Sequence, residues 1–286
     1  MFTIVNKQIL APDVKRLDIR AGAVAKVVRP GQFVIVTSKP HGKGIPLAVT
    51  DADPGKGTVT LIFKEIGSAT RQLGDSAIND ELFSLTGPFG TPARIEKIGT
   101  VICASSGIGT AQILPVCRAL RQAGNKVVGI IGAGNRREIM LEPQMRLTCH
   151  KLILATRDGL YERRSSIRDV VAGLIPKENV AQVYAIGSVD MMEEVAVLTR
   201  GQGIPMRVQV NPLILCGRGV CGACRVKAGG RTVLTCQHGP EFDAHQLDFH
   251  AVRQRLQTAE SSPVPSGGDP AQAVINKFLP GLLRRT

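Results

Sequence analysis

The sequence contains no tryptophan and only two tyrosines, and aromatic residues make up 3% of its 286 positions. Proteins that bind single-stranded nucleic acid usually stack bases on aromatic side chains set among basic residues. This chain is basic, with 36 Lys and Arg residues against 23 Asp and Glu residues, but its arginines fall in scattered pairs such as Arg136-Arg137. We therefore predict no nucleic-acid partner. The basic residues behind the net charge of +13 are interpreted as solvated surface residues or as residues that steer an acidic redox partner toward the protein.

Long apolar runs are also absent, because no stretch approaches the roughly 18 residues that a membrane-spanning helix needs. The first residues, Met1 to Lys7, have the pattern of a strand and not of a secretory leader. These absences predict a cytoplasmic protein without a membrane span. No Ser-His-Asp grouping or carboxylate pair at a useful spacing is visible, so the chemistry is expected to come from cofactors.

Four of the seven cysteines form the pattern C-x4-C-x2-C-x11-C, and they are Cys216, Cys221, Cys224 and Cys236. The first three match the spacing of plant-type [2Fe-2S] ferredoxins, whereas the fourth lies closer than it does there. Two short runs around Ala228-Gly229-Gly230 predict a hairpin that returns the fourth cysteine to the loop. We predict that these thiolates bind a [2Fe-2S] cluster. A structural zinc site is the alternative, although zinc ribbons favour two CxxC knuckles and this loop has one.

The other three cysteines, Cys103, Cys117 and Cys149, lie in apolar or helical stretches. We predict that they occupy core positions and form no disulfide. Their pattern agrees with a reducing compartment.

The pattern of apolar runs and turn residues along the sequence divides the chain into four predicted segments. Residues 1–96 alternate short apolar runs with turns, which predicts an antiparallel β-barrel. Residues 97–210 alternate strands and helices, which predicts a doubly wound parallel α/β sheet. Residues 211–250 form a small cluster-binding segment, and residues 251–286 comprise a helix, a Ser/Pro/Gly-rich linker and a tail. The predicted fold class is multi-domain, with a barrel, a parallel sheet and a small iron–sulfur segment.

Two glycine turns between strand and helix are candidates for nucleotide binding. Gly107-Ile108-Gly109-Thr110 follows a strand and opens a helix that is predicted to end near Gly124. A helix N-terminus at such a turn favours a pyrophosphate, but two glycines without a third can also serve only a tight connection. The second turn, at Gly187-Ser188, would let a ring or ribose approach closely.

Taken together, these motifs resemble the flavin and iron–sulfur electron-transfer subunits related to ferredoxin-NADP reductases, over about residues 1–258. That family includes the small subunit of NADH-dependent ferredoxin:NADP oxidoreductase, also called sulfide dehydrogenase, and the electron-transfer subunit of dihydroorotate dehydrogenase B. The most specific stretch runs from Val210 through the cysteine loop to Phe249, and its ending at 239–245 looks like the former. The resemblance implies FAD on the barrel, NAD(P)H on the parallel sheet and the cluster on the loop.

The family holds FAD with an Arg-x-Pro-(Leu or Ile)-(Thr or Ser)-Ile strand and a glycine-to-threonine turn. The residues that the resemblance assigns to FAD are Pro46, Leu47, Ala48, Val49, Gly67, Ser68 and Thr70. The chain departs from the motif twice, because Gly44 stands where the family has arginine and Ala48 where it has a hydroxyl residue. A bidentate donor to the diphosphate is therefore missing, and Lys43, Arg71 or a partner subunit is expected to compensate.

The residues that the resemblance assigns to the nicotinamide nucleotide are Gly107, Ile108, Gly109, Thr110, Gly187, Asp190 and Met191. Arg136 or Arg137 could accept a 2′-phosphate, so the choice between NADH and NADPH stays open.

The predicted function is an oxidoreductase subunit that passes electrons between NAD(P)H, FAD and a [2Fe-2S] cluster. A larger redox subunit is the expected partner, and ferredoxin is a further candidate. Two alternatives stay open at this point. One is the electron-transfer subunit of dihydroorotate dehydrogenase B, and the other is a non-catalytic interaction module built on zinc.

Overall fold

The computed structural model of the chain describes residues 1–162, 164–210 and 214–260. It contains a seven-stranded sheet, a six-stranded sheet and a two-stranded hairpin. The predicted linker and tail at 261–286, and residues 211–213 of the family motif, lie outside the described residues.

The first sheet is antiparallel and rolled into a barrel. Its strands are β1 (Phe2–Ala11), β2 (Val14–Arg20), β3 (Phe33–Thr37), β4 (Ile45–Asp53), β5 (Thr58–Lys64), β6 (Glu81–Leu82) and β7 (Ser84–Phe89). They are hydrogen-bonded in the order β6-β1-β2-β5-β4-β3-β7. The two edge strands, β6 and β7, are separated in the chain by Phe83 alone, so the sheet must curl until its edges nearly meet. The helices α1 (Gly22–Ala25) and α2 (Ser68–Asp75) lie between strands of this unit.

Alternating side chains build the barrel interior, as β4 illustrates. Ile45, Leu47 and Val49 are buried, whereas the intervening Pro46 and Ala48 are half-buried. The three buried residues join a core to which every strand of the barrel contributes. Because successive side chains of a strand point to opposite faces, Pro46 and Ala48 face outward.

The second sheet is formed by β8 (Thr100–Ser106), β9 (Lys126–Ala133), β10 (Lys151–Thr156), β11 (Val180–Ile186), β12 (Met206–Gln209) and β15 (Glu241–Asp243). Their order is β10-β9-β8-β11-β12-β15. The first five are parallel, and β15 pairs antiparallel with β12. After β8 the chain forms β9 and β10 on one side of that strand, and it then returns to form β11 on its other side. A topological switch point therefore lies between the ends of β8 and β11.

Helices cover both faces of this sheet. They are α3 (Gly109–Gln122), α4 (Glu142–Thr148), α5 (Ile167–Leu174) and α6 (Val189–Gly201), with a short 3-10 helix at Arg136–Glu138. One core contains residues of α3 and α4, and the other contains residues of α5, α6 and the last described helix. Cys103, Cys117 and Cys149 are buried in the first of these cores and are free thiols, as predicted.

The last described part of the chain contains the predicted hairpin of β13 (Arg225–Ala228) and β14 (Arg231–Leu234). The short helix α7 (Thr235–His238), then β15, and finally α8 (Phe249–Glu260) follow it. The predicted fold class is confirmed, whereas the domain limits remain a prediction. Among the described residues, no helix is both long enough and apolar enough to cross a membrane.

Candidate functional site: a cysteine loop, a barrel face and a sheet cavity

The hairpin brings the fourth cysteine back to the loop, as the sequence predicted. Arg225 pairs with Leu234, and the N–H of Thr235 donates to the carbonyl of Cys224 at 3.0 Å. Cys236 follows directly, and its Sγ lies 3.3 Å from Cys224 Sγ. Both thiols are buried.

The four thiols of the loop form two pairs. Cys216 and Cys221 contact each other through their thiols, and Cys224 and Cys236 form the second contact. Where the chain is described, no three His, Cys, Asp or Glu side chains are grouped closely enough to hold one metal ion. Two thiol pairs on one loop suit a binuclear cluster, in which four cysteine thiolates hold two irons.

Backbone N–H groups of the loop converge on Cys216. Burial opposes ionisation of this thiol, but donors from Cys221, Arg218 and Val220 more than offset burial and lower its pKa to about 7. At the other pair, burial and the contact with Cys224 raise the pKa of Cys236 to about 11. The loop is therefore built to stabilise negative charge at sulfur on the Cys216 side.

The cysteine loop packs against the outer face of the barrel. Cys224, Cys236 and Ile214 form one buried cluster with Phe33 and Ile35 of β3. In the β3–β4 ladder, Phe33 lies opposite Ala48, and Ile35 lies opposite Pro46. Paired residues of neighbouring strands share a face, so Pro46 and Ala48 face the same side as the cysteine loop.

Two other residues that the resemblance assigned to FAD are turned away from this face. The side chains of Leu47 and Val49 pack in the barrel core, so only their backbone remains available to a ligand. Gly44 lies beside Ile35, and a Cβ at position 44 would come within 2.8 Å of Ile35 Cγ2. An arginine at that position would therefore press on a residue that supports the cysteine loop.

The glycine-to-threonine turn opens α2. The Thr70 hydroxyl accepts a hydrogen bond from the Gly67 N–H at 3.0 Å and caps the helix. Ser68 and Arg71 line a cavity of about 380 Å³ together with Lys39, and Asp75 and Asp80 also line it. A helix N-terminus and two cations make one part of this cavity suitable for an anion.

A second cavity of about 420 Å³ lies at the switch point between β8 and β11. Gly107, Ile108, Gly109 and Gly187 line it, so the structure brings both predicted glycine turns together. Gly109 is required for close packing, because a Cβ there would lie 2.3 Å from the Ile186 carbonyl oxygen. In open α/β sheets, the crevice at such a switch point is the usual ligand site.

The remaining residues assigned to the nucleotide do not line this cavity. Thr110 is fully buried, and its hydroxyl shares a hydrogen bond with Ser105 Oγ at 3.1 Å. Asp190 is exposed and forms an ion pair with Arg253 at 2.8 Å. Met191 packs against the core beside Gly187. Arg136 stacks on the Tyr161 ring, with 4.5 Å between its Cζ and the ring centroid.

Comparison with known proteins places this arrangement in a family. The chain is 32% identical over 253 residues to the "dihydroorotate dehydrogenase B (NAD(+)), electron transfer subunit homolog" of Thermotoga maritima, covering 88% of this chain and 89% of that protein. This chain belongs to that family of electron-transfer subunits. The family membership predicted from the sequence is confirmed.

Further comparisons agree with the assignment of this chain to the electron-transfer subunits. Residues 211–248 match the model of the iron–sulfur cluster binding domain of dihydroorotate dehydrogenase B. A solved structure described as NADH-dependent reduced ferredoxin-NADP oxidoreductase, with flavin-based electron bifurcation, has a TM-score of 0.87 and 30% identity, and the match covers 98% of each chain. A Clostridium beijerinckii protein without an assigned function is 34% identical over 264 residues, or 89% of each chain.

Sequence reasoning predicted α8 but missed that this helix closes the cavity of the electron-transfer subunit. Val252 and Leu256 of α8 line the cavity, and Arg253 between them pairs with Asp190 and Glu193 of α6. The amphipathic pattern near 250–259 predicted a helix, but it carried no signal of which surface the helix covers.

A buried polar chain was also missed. The Tyr184 hydroxyl donates to Glu241 Oε2 at 2.7 Å, and Gln209 Nε2 donates to the Tyr184 oxygen at 3.0 Å. Gln209 is buried and lines the cavity. A signal was available, because a tyrosine inside an apolar strand needs a partner for its hydroxyl.

The stretch at 239–249 holds two helices of the parallel-sheet unit in place. His245 contacts the Thr199 hydroxyl of α6 at 3.0 Å, and Asp248 Oδ1 accepts from the Ala251 N–H at the start of α8. These residues therefore fix α8 and α6, and the Asp248 N–H also donates to the Lys227 carbonyl of the cysteine hairpin at 2.9 Å.

Proposed function

We propose that this subunit passes electrons between NAD(P)H and a partner through FAD on the barrel face and a [2Fe-2S] cluster on the cysteine loop. The observation that carries the proposal is the shared face, where Pro46 and Ala48 lie beside the residues that support Cys224 and Cys236. When bound, the cofactors split the two-electron hydride of NAD(P)H into single electrons. The chain's own residues bind them, orient them and hold them close together.

For the cluster, the ligands are Cys216, Cys221, Cys224 and Cys236. The match of residues 211–248 to an iron–sulfur cluster binding domain supports this choice over zinc. Hydrogen bonds to the ligand sulfurs also tune the reduction potential of such a cluster.

For FAD, the Pro46–Ala48 strand gives the ring a support, and the turn at the start of α2 receives the diphosphate. Arg71 and Lys39 line the cavity at this turn and replace the positive charge that Gly44 cannot supply. The absence of a side chain at Gly44 leaves Ile35 free to support the cysteine loop.

For NAD(P)H, the cavity between β8 and β11 receives the nicotinamide end. Gly107 leaves the backbone open to the ligand, Gly109 lets α3 pack closely against β11, and the N-terminus of α3 favours the negative charge of the pyrophosphate. Val252 and Leu256 exclude water from one side of the cavity.

The partner is proposed to be a larger redox subunit that exchanges electrons with ferredoxin. The relatives are named as subunits, and the match to the ferredoxin-NADP oxidoreductase structure covers 98% of both chains. Dihydroorotate oxidation is the second candidate, because relatives and the matched domain at 211–248 carry that name.

The first test is the visible absorption spectrum of the anaerobically purified chain, with iron, sulfide, zinc and flavin assays, before and after addition of NADH or NADPH. We expect flavin and iron–sulfur bands, about two irons per chain, and bleaching by a nicotinamide nucleotide. Cys221→Ser is expected to lose iron, whereas the matched variant Cys149→Ser, outside the loop, should retain it. A colourless zinc protein would refute the proposal. Supplying ferredoxin or dihydroorotate to the complex purified with its partner separates the two candidate reactions.

A further inference from the structure

Thr235 carries a buried hydroxyl without a partner. The residue has no exposed surface, and its Oγ1 makes no hydrogen bond in the described structure. A buried hydroxyl that forms no hydrogen bond is unfavourable, so folded proteins almost always give such a group a partner. The position therefore points to an acceptor that the protein atoms do not supply.

The hairpin sets Thr235 directly beside the cysteines. Its N–H donates to the Cys224 carbonyl at 3.0 Å, which extends the register in which Arg225 faces Leu234. Thr235 is the first residue of α7, so this bond holds the start of that helix against the backbone of Cys224. Cys236, the next residue, contacts Cys224 through sulfur at 3.3 Å. The hydroxyl bonds neither thiol, whereas a cluster held by these cysteines would bring further sulfur acceptors to this place.

We propose that the Thr235 hydroxyl donates a hydrogen bond to a sulfur of the bound cluster and thereby raises the reduction potential of that cluster. This inference rests on the proposed [2Fe-2S] site. A donor aimed at sulfur stabilises the reduced cluster more than the oxidised one, because the reduced cluster carries one more negative charge. Thr235 is thus a positioning residue that acts through the cluster and not a ligand.

The test compares the reduction potential of the cluster in Thr235→Val, Thr235→Ser and wild-type protein, followed by EPR in a redox titration. The valine variant keeps the shape and removes the donor. We expect the reduction equilibrium to shift about tenfold toward the oxidised cluster, which is about 59 mV for one electron. The serine variant keeps the donor and should retain the wild-type potential.

A matched control is Thr50→Val. Among the described residues, Thr50 in β4 is the other buried threonine without a hydrogen-bond partner, but it lies in a barrel strand and not beside a cysteine. It should leave the potential of the cluster unchanged. An equal shift in Thr50→Val, or an unchanged potential in Thr235→Val, would overturn the inference.

Thr235→Ala guards against a folding defect, since it removes the same hydroxyl without placing a methyl group in its position. If both variants lose iron while the serine variant keeps it, the hydroxyl serves cluster assembly and the tuning role is wrong. Absence of iron from the wild-type protein would instead refute the proposed function, so the two failures are distinguishable.

Discussion

Gly109→Ala is expected to impair the use of NAD(P)H while leaving the iron and flavin content of the protein unchanged. A Cβ at this position would lie 2.3 Å from the Ile186 carbonyl oxygen, 2.8 Å from its carbonyl carbon and 3.2 Å from the Gly187 nitrogen. Contacts of a Cβ below 3.0 Å are essentially never seen, so α3 must move away from β11 by at least about 0.7 Å, the difference between 3.0 and 2.3 Å. Since both turns line the cavity, the movement changes its shape.

Two magnitudes follow for Gly109→Ala. Overpacking of this kind typically costs about 1–3 kcal/mol, and each kcal/mol lowers Tm by about 2–4 °C in a chain of this size class. A misplacement of about 1 Å at a reacting centre reduces the rate by about 10²-fold. We therefore expect kcat/KM for NAD(P)H to fall by about that factor, while iron and flavin content stay at wild-type levels.

The assay is reduction of ferricyanide over a range of NAD(P)H concentrations, together with thermal unfolding and cofactor analysis. Gly173→Ala is the matched control, because Gly173 lies in α5 and a Cβ there meets no atom within 4 Å. This control should keep full activity and lose no stability, since alanine is favoured over glycine inside a helix. Unchanged kcat/KM and Tm in Gly109→Ala would show that the close approach of α3 and β11 does not shape the nucleotide site.

Two further predictions concern titratable groups. Burial raises the pKa of Glu241 above its usual 4.5, so its contribution to the unfolding free energy is present below the unfolded pKa and lost as pH rises through the folded pKa. In urea unfolding, the stability of Glu241→Gln relative to wild type should therefore increase as pH rises from 4.5 through the folded pKa of Glu241, and parallel pH profiles would contradict this. Contact with Cys103 and burial hold the pKa of Cys117 well above its usual range, and contact with Cys117 and burial do the same for Cys149. Because the thiolate is the nucleophile, iodoacetamide at pH 8 should leave these core thiols unlabelled until the chain unfolds; peptide mass mapping of native protein would detect any exception.

Local features of the site were predictable from the sequence. The cysteine spacing, the hairpin that returns Cys236 and the two glycine turns each depend on residues close together in the chain. Their structures follow from turn chemistry and strand pairing, which act over short distances.

Features that depend on distant contacts were not predictable. Arg253 binds Asp190 across 63 positions, and Tyr184 bonds Glu241 across 57. Leu47 and Thr110 matched the family motif by position, yet their side chains pack inside the protein. A motif gives the place of a residue in the chain, whereas tertiary packing decides which way its side chain faces.

The pairing of β15 with β12 has a consequence for the exchange of parts between related proteins. Arg207, Val208 and Gln209 of β12 face Asp243, Phe242 and Glu241, so the polypeptide that carries the four cysteines begins and ends at the same sheet edge. Excision of that polypeptide would leave β12 as a bare edge with unpaired N–H and C=O groups, which favours aggregation. A chimaera that borrows this redox centre should therefore take β12, the cysteine hairpin and β15 together as a single graft.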